Sequence, residues 1–304
     1  MRFAFMPPPT LTGNIQYHRA FPSRILKNRR DILVYLPPGY SRFSTRHYPV
    51  LYLHDGQNIF DAATAFAGVE WGVDDTAQQL ISKKLIEPLI IVAIANTGED
   101  RIHEYAPTPA RIDPPKQKRS KGLLRSYGQF LIEELKPFID RKYRTRREAK
   151  FTGLGGSSLG GLATLTLGLW FPNYFTRLAV LSPSIWWDDC AIYDIVDEID
   201  ETARPPLKIW LDTGTNEPGW ERAATLRDRL VEKGWRLHDD LHYLEVAGAG
   251  HSEGAWAARI DPVLRFLFPP PPPPAAKIAP AKTSRSLIRR ALARANLVSS
   301  LLAN

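Results

Sequence analysis

Short apolar runs separated by turn residues recur along the chain, and between them the spacing shifts to a helical period. Residues 31–36, Asp-Ile-Leu-Val-Tyr-Leu, stop at Pro37-Pro38-Gly39, the mark of a strand closed by a turn. Residues 48–53 form a second run leading into His54-Asp55-Gly56, and residues 89–95 are apolar throughout. A strand without a polar face must be covered on both sides, as in a parallel sheet. Residues 73–85 and 124–143 repeat at helical spacing. In the second, Tyr127, Phe130, Leu131, Leu135, Phe138 and Ile139 share one face. A strand from residue 151 and others at 178–181, 207–211 and 241–246 complete the pattern, each followed by a helical stretch. This order predicts an α/β protein with a mostly parallel, doubly wound sheet and helices on both faces. The first strands are free to pair antiparallel at one edge.

Residues 269–274 are six consecutive prolines, a stiff rod that no helix or strand continues through. They set the expected organisation: an N-terminal extension at 1–20, a main α/β domain at 21–268, and a linker and tail at 269–304. Within the tail, residues 284–303 recover helical spacing, with apolar positions on one side and Arg285, Arg289, Arg290 and Arg294 mostly elsewhere. Such a helix suits peripheral contact with an anionic membrane or a protein partner, while the ordinary reading is a tail that packs on its own domain or stays disordered. Of the net charge of +8, six charges lie beyond Pro270, where no acidic residue occurs. The main domain is therefore close to neutral, which argues against a nucleic-acid partner. One cysteine among 304 residues excludes an internal disulfide. With no signal-peptide pattern at the start, the expected compartment is the cytoplasm. Nothing in the chain specifies an oligomeric state.

The segment Gly156-Ser157-Ser158-Leu159-Gly160 fits G-x-S-x-G, a serine perched on a sharp strand-to-helix turn. Side chains two residues before and after such a serine would collide, and glycine at both places removes the collision. That register selects Ser158 over Ser157. A hydroxyl needs a base to take its proton, and the base needs an acid to orient it. In this fold type both follow the serine. Of the three downstream histidines, His238 and His242 flank a strand start beside Asp239 and Asp240. His251 instead follows a strand through a glycine-rich loop, where the base must sit. Two carboxylates compete for the acid. Asp212 lies at a strand end, and Glu217 lies in the loop beyond Gly214 and has the reach, so Glu217 is preferred and Asp212 is the alternative. An oxyanion needs two backbone donors, for which Leu159 N–H and Gln57 N–H are the candidates. His54 and Asp55 are read as holding that loop in shape, since no partners at metal-ligand spacing accompany them. Trp71, Trp186 and Trp187, with Arg101, are candidate substrate-pocket residues.

Several of these segments stand together in one order: Val34-Tyr35-Leu36-Pro37-Pro38-Gly39-Tyr40, Leu51-Tyr52-Leu53-His54-Asp55-Gly56-Gln57, Gly156 to Gly161, Ser182-Pro183-Ser184, Gly214-Thr215-Asn216-Glu217 and Gly250-His251. Over residues 21–267 the chain thereby resembles the "putative esterase" family of the α/β-hydrolase superfamily. That family includes enterochelin, feruloyl and acetylxylan esterases, S-formylglutathione hydrolase and the mycolyltransferases. The enterochelin-esterase-like branch is nearest, through Asp55-Gly56-Gln57-Asn58-Ile59-Phe60. The resemblance implies a Ser158–Glu217–His251 triad and an oxyanion hole from Gln57 and Leu159. The basic tail is foreign to the family pattern. The expected activity is hydrolysis of a small-molecule carboxylic ester through an acyl-enzyme, needing no metal or organic cofactor. The rivals are acyl transfer by the same residues and a non-catalytic binding protein on the same scaffold.

Overall fold

The computed structural model describes residues 10–113 and 118–271. The expected linker beyond residue 271 and the amphipathic segment at 284–303 lie outside the described residues. Up to Pro270 the described residues form one compact unit.

The strands are β1 (Asn14–Ser23), β2 (Asn28–Leu36), β3 (Val50–Leu53), β4 (Ile90–Ile94), β5 (Arg111–Asp113), β6 (Lys118–Arg119), β7 (Thr152–Ser157), β8 (Arg177–Leu181), β9 (Lys208–Gly214) and β10 (Leu241–Val246). Strands β5 and β6 make a small hairpin. The other eight form one sheet in the order β1-β2-β4-β3-β7-β8-β9-β10. β1 pairs antiparallel with β2, and β2 antiparallel with β4; the rest of the ladder is parallel. The helices are α1 (Val73–Ser82), α2 (Arg101–Tyr105), α3 (Leu124–Gln129), α4 (Lys136–Lys142), α5 (Leu159–Trp170), α6 (Ile192–Asp197), α7 (Arg222–Glu232), α8 (Glu253–Ala257) and α9 (Ile260–Leu267).

Strand alternation divides the apolar residues between two cores. Ile32 and Val34 of β2 join Leu131, Leu162 and Leu226 on one face, while Leu33 and Tyr35 join Val73, Ala77 and Leu264 on the other. Fully apolar β4 is buried along its whole length, as its composition requires. The predicted helix at 124–143 is realised by α3 and α4, joined through a wide π turn at Phe130–Leu135. Pro137 cannot donate to a carbonyl one turn back, and the wide turn sits just ahead of it. β1 crosses the expected domain start at residue 21 and brings residues 14–20 into the sheet. It is a half-solvated edge strand with few apolar positions, so its sequence carries only a weak strand signal.

The N-terminal segment is anchored near α1, where the Thr12 N–H donates to Asp74 Oδ2 at 2.7 Å. Burial pushes the Asp74 carboxyl up to about 6, outweighing the backbone hydrogen bonds that stabilise its charge. The folded state therefore keeps a proton that the unfolded chain releases between about pH 4 and 6. Stability from this group is present below that window and lost as pH rises through about 6. In Asp74→Asn, the difference in Tm from the natural chain should shift in the variant's favour from about pH 4 to pH 7. Thermal melts across that range check it, and a flat difference would refute it.

Strand order places the site. From β3 the chain moves outward to β4, then returns past β3 to β7 and continues the opposite way. This reversal opens a crevice beyond the carboxyl ends of β3 and β7, where ligands bind in sheets of this kind.

Candidate active site

Ser158 sits where β7 turns into α5, with φ 57° and ψ −124°. That conformation costs a non-glycine residue about 1–3 kcal/mol and persists only where neighbours enforce it. They do: Ser158 N–H donates to Leu181 O at 3.0 Å, and Ser184 N–H donates to Ser158 O at 2.9 Å. The flanking glycines keep the turn free of close contacts. A Cβ on Gly156 would stand 3.0 Å from the Gly160 backbone and from His54, and one on Gly160 would stand 3.3 Å from Asp55 Oδ2. These contacts also show that the loop after β3 lies against the turn.

Three side chains remote in sequence meet here. His251 Nε2 lies 2.9 Å from Ser158 Oγ, and His251 Nδ1 lies 2.8 Å from Glu217 Oε2. The loops that bring in the last two are tied to each other: Asn216 N–H donates to Ala249 O at 3.0 Å, and Gly248 N–H to Thr215 Oγ1 at 2.8 Å. Glu217 is buried, and its other oxygen accepts from Ser182 Oγ at 2.6 Å and Gly214 N–H at 2.8 Å. Burial pushes its carboxyl up, but hydrogen bonds from His251, Ser182 and Gly214 outweigh that and hold it below the usual glutamate range. The imidazole is edge-on to Trp256, with ring centroids 4.9 Å apart.

Asp212, the alternative acid, is fully buried on β9 and faces a different partner. Arg259 donates to its Oδ1 at 2.6 Å, and Trp210 Nε1 to its Oδ2 at 2.7 Å. Asp212 is therefore spent on a buried ion pair and does not touch His251. Ser182 links the two carboxylates: its hydroxyl donates to Glu217 and accepts from Trp256 Nε1 at 3.0 Å, while its N–H donates to Asp212 Oδ1 at 3.1 Å. Sequence reasoning assigned no role to Ser182, Trp256 or Arg259. Ser182 stood within a quoted motif; Arg259 had no signal at all, 47 residues after its partner.

Gln57 sits in the middle of the tight turn Gly56–Asn58 after β3, and Leu159 opens α5. Among the described residues neither backbone N–H is hydrogen-bonded to an acceptor. The turn holding Gln57 is rigidly supported from Asp55, whose φ is 54°. Arg101 grips that carboxylate with Nε at 2.6 Å and Nη2 at 2.7 Å, and Asn96 Nδ2 adds a third donor at 2.7 Å. His54 is fully buried, and burial pushes its imidazole down to about 4, so it is neutral, with Nδ1 3.0 Å from Tyr127 Oη. Both residues brace the loop.

A cavity of about 530 Å³ opens beside Ser158 and His251. Of the four candidate pocket residues, only Trp186 lines it. Trp71 and Trp187 are 2% and 1% exposed and belong to the core: Trp71 packs on Trp256, and Trp187 Nε1 donates to Thr108 O. Arg101 serves the loop after β3 through Asp55. Trp220 and Arg222, which sequence reasoning did not select, line the cavity instead. No helix among the described residues is long and apolar enough to cross a membrane.

The chain is similar to several known proteins. It is 25% identical over 264 residues to the uncharacterized protein YbbA of Bacillus subtilis, covering 85% of this chain and 97% of that one. It is 27% identical over 244 residues to the ferri-bacillibactin esterase BesA of the same organism, covering 73% and 80%. Its fold matches the crystal structure of the BES protein from Bacillus cereus with a TM-score of 0.68 at 22% identity, over 85% of this chain and 97% of the other. Residues 23–267 match the family described as "Putative esterase". The chain belongs to that family, and is a hydrolase acting on ester bonds built on the α/β-hydrolase fold.

Proposed function

We propose that the protein is a serine carboxylic-ester hydrolase in which Ser158, His251 and Glu217 act as a triad. The observation that carries this reading is the unbroken hydrogen-bond chain from Ser158 Oγ through both imidazole nitrogens to a buried, ionised carboxylate. Glu217 accepts a hydrogen bond from Nδ1–H, which leaves Nε2 as the lone-pair nitrogen facing the hydroxyl. As Ser158 Oγ attacks the ester carbonyl carbon, Nε2 takes its proton and Glu217 stabilises the imidazolium. The carbonyl oxygen, now anionic, receives the free N–H groups of Gln57 and Leu159, the latter at the positive end of α5. The C–O bond to the alcohol then breaks and Nε2 returns the proton to the leaving oxygen. Water repeats the sequence on the acyl-enzyme, releasing the acid and restoring Ser158.

BesA's description as a ferri-bacillibactin esterase supports a small-molecule ester as substrate for this chain too. An activity-based test is direct. A fluorophosphonate probe should form one adduct, on the tryptic peptide containing Ser158. Intact protein with no adduct would overturn the triad and revive the reading as a binding protein.

A further inference from the structure

Three ionisable side chains line the cavity beside Ser158: His251, Glu217 and Arg222. The first two have no capacity left for a ligand's charge. Both imidazole nitrogens are engaged, and so are both oxygens of Glu217. Arg222 differs. Among the described residues its guanidinium has no carboxylate partner, and it lies directly against Gly219 in the cavity wall. Glu221, the preceding residue, does not line the cavity. Arg222 is the first residue of α7 and follows its N-cap, Glu221.

The remaining wall is mostly apolar, from Pro183, Ile185, Trp186, Pro218, Trp220 and Ala223. Trp186 stays 57% exposed at this site, an indole face offered to whatever enters. A neutral ligand filling such a space shields a cation from water without replacing its hydration. An anion on the ligand replaces it with a charge-assisted, two-pronged hydrogen bond.

We infer that this enzyme acts on esters bearing a carboxylate on an apolar or aromatic arm, with Arg222 as the specificity-determining contact for that carboxylate. The inference rests on the esterase reading above and adds the class of substrate to it. A cavity of about 530 Å³ has room for an arm of aromatic size.

Matched ester pairs test it, one for each side of the scissile bond. Mono-p-nitrophenyl terephthalate against p-nitrophenyl p-toluate puts the carboxylate on the acyl side. p-Acetoxybenzoate against p-tolyl acetate puts it on the alcohol side. In at least one pair, kcat/KM for the anion should exceed that for its neutral partner by about tenfold, the effect of one charge-assisted contact. Arg222→Gln should bring that ratio near unity. Arg222→Lys should keep part of it, and Arg222→Glu should favour the cationic p-(aminomethyl)phenyl acetate over p-acetoxybenzoate. General damage to the enzyme would lower both members of a pair and leave the ratio unmoved. Turnover without anion preference, or a preference that survives Arg222→Gln, overturns the inference and leaves the esterase reading intact. No turnover of any ester, together with no fluorophosphonate adduct, overturns both.

Discussion

Ser158→Ala is expected to lower kcat for a short p-nitrophenyl ester by roughly 10⁴-fold or more, the scale on which nucleophile removal acts in triad hydrolases. Every covalent step in the proposed mechanism passes through that oxygen. The residual rate comes from whatever the oxyanion donors and the binding cleft retain. The fold should survive, because the hydroxyl contacts only His251 and, at 3.3 Å, Ser184 Oγ. Alanine must still adopt the strained turn, but the two backbone hydrogen bonds that hold it do not involve the side chain. Circular dichroism and a thermal melt check the fold, and p-nitrophenol release checks the rate. A folded Ser158→Ala enzyme within tenfold of the natural rate would disprove the assignment.

The second large effect separates two carboxylates that look alike in sequence. Glu217→Gln should reduce kcat by about 10³–10⁴-fold with little loss of Tm, because an amide no longer stabilises the imidazolium or fixes its tautomer. Asp212→Asn should do the reverse. It leaves the Ser158–His251–Glu217 chain in place but strips the nearer counter-charge from Arg259, whose side chain is 3% exposed, and leaves it only Glu217 Oε1 at 3.8 Å. Breaking a buried ion pair by removing one partner costs up to about 3–5 kcal/mol, which for a domain of this size lowers Tm by roughly 10 °C. Since Arg259 also touches Ser182, and Ser182 holds Glu217, a modest loss of rate is expected alongside. Stopped assays at several ester concentrations and melts of both variants decide the matter. If Asp212→Asn abolished turnover while Glu217→Gln spared it, the roles given to the two residues would be wrong.

Much of the architecture was legible from residue spacing. The apolar runs at 48–53 and 89–95 and the G-x-S-x-G turn are governed by strand alternation, burial on both faces and steric exclusion around one serine. Each of those acts within a few residues. β1 escaped notice because an edge strand with one solvated side needs few apolar positions. The candidate pocket residues fared unevenly for a related reason. Trp71, Trp186 and Trp187 are chemically identical, and whether an indole faces a cleft or a core depends on what packs over it. Arg222 and Trp220 gave no sign of their place, since which side chains at the start of α7 and just before it line the cavity is set only by tertiary packing.

From the order of its elements and its motifs the chain alone determined a mostly parallel α/β sheet, the serine at its sharp turn, and a histidine and two rival carboxylates downstream. Those follow from local sterics and periodicity. Folding decided which carboxylate meets the imidazole, which takes Arg259, and which aromatic and cationic side chains face the cleft. Partners such as Asp212 on β9 and Arg259 at the start of α9, far apart in sequence, are chosen by the way the chain beyond β10 packs back on the sheet and by the cost of leaving any charge buried alone.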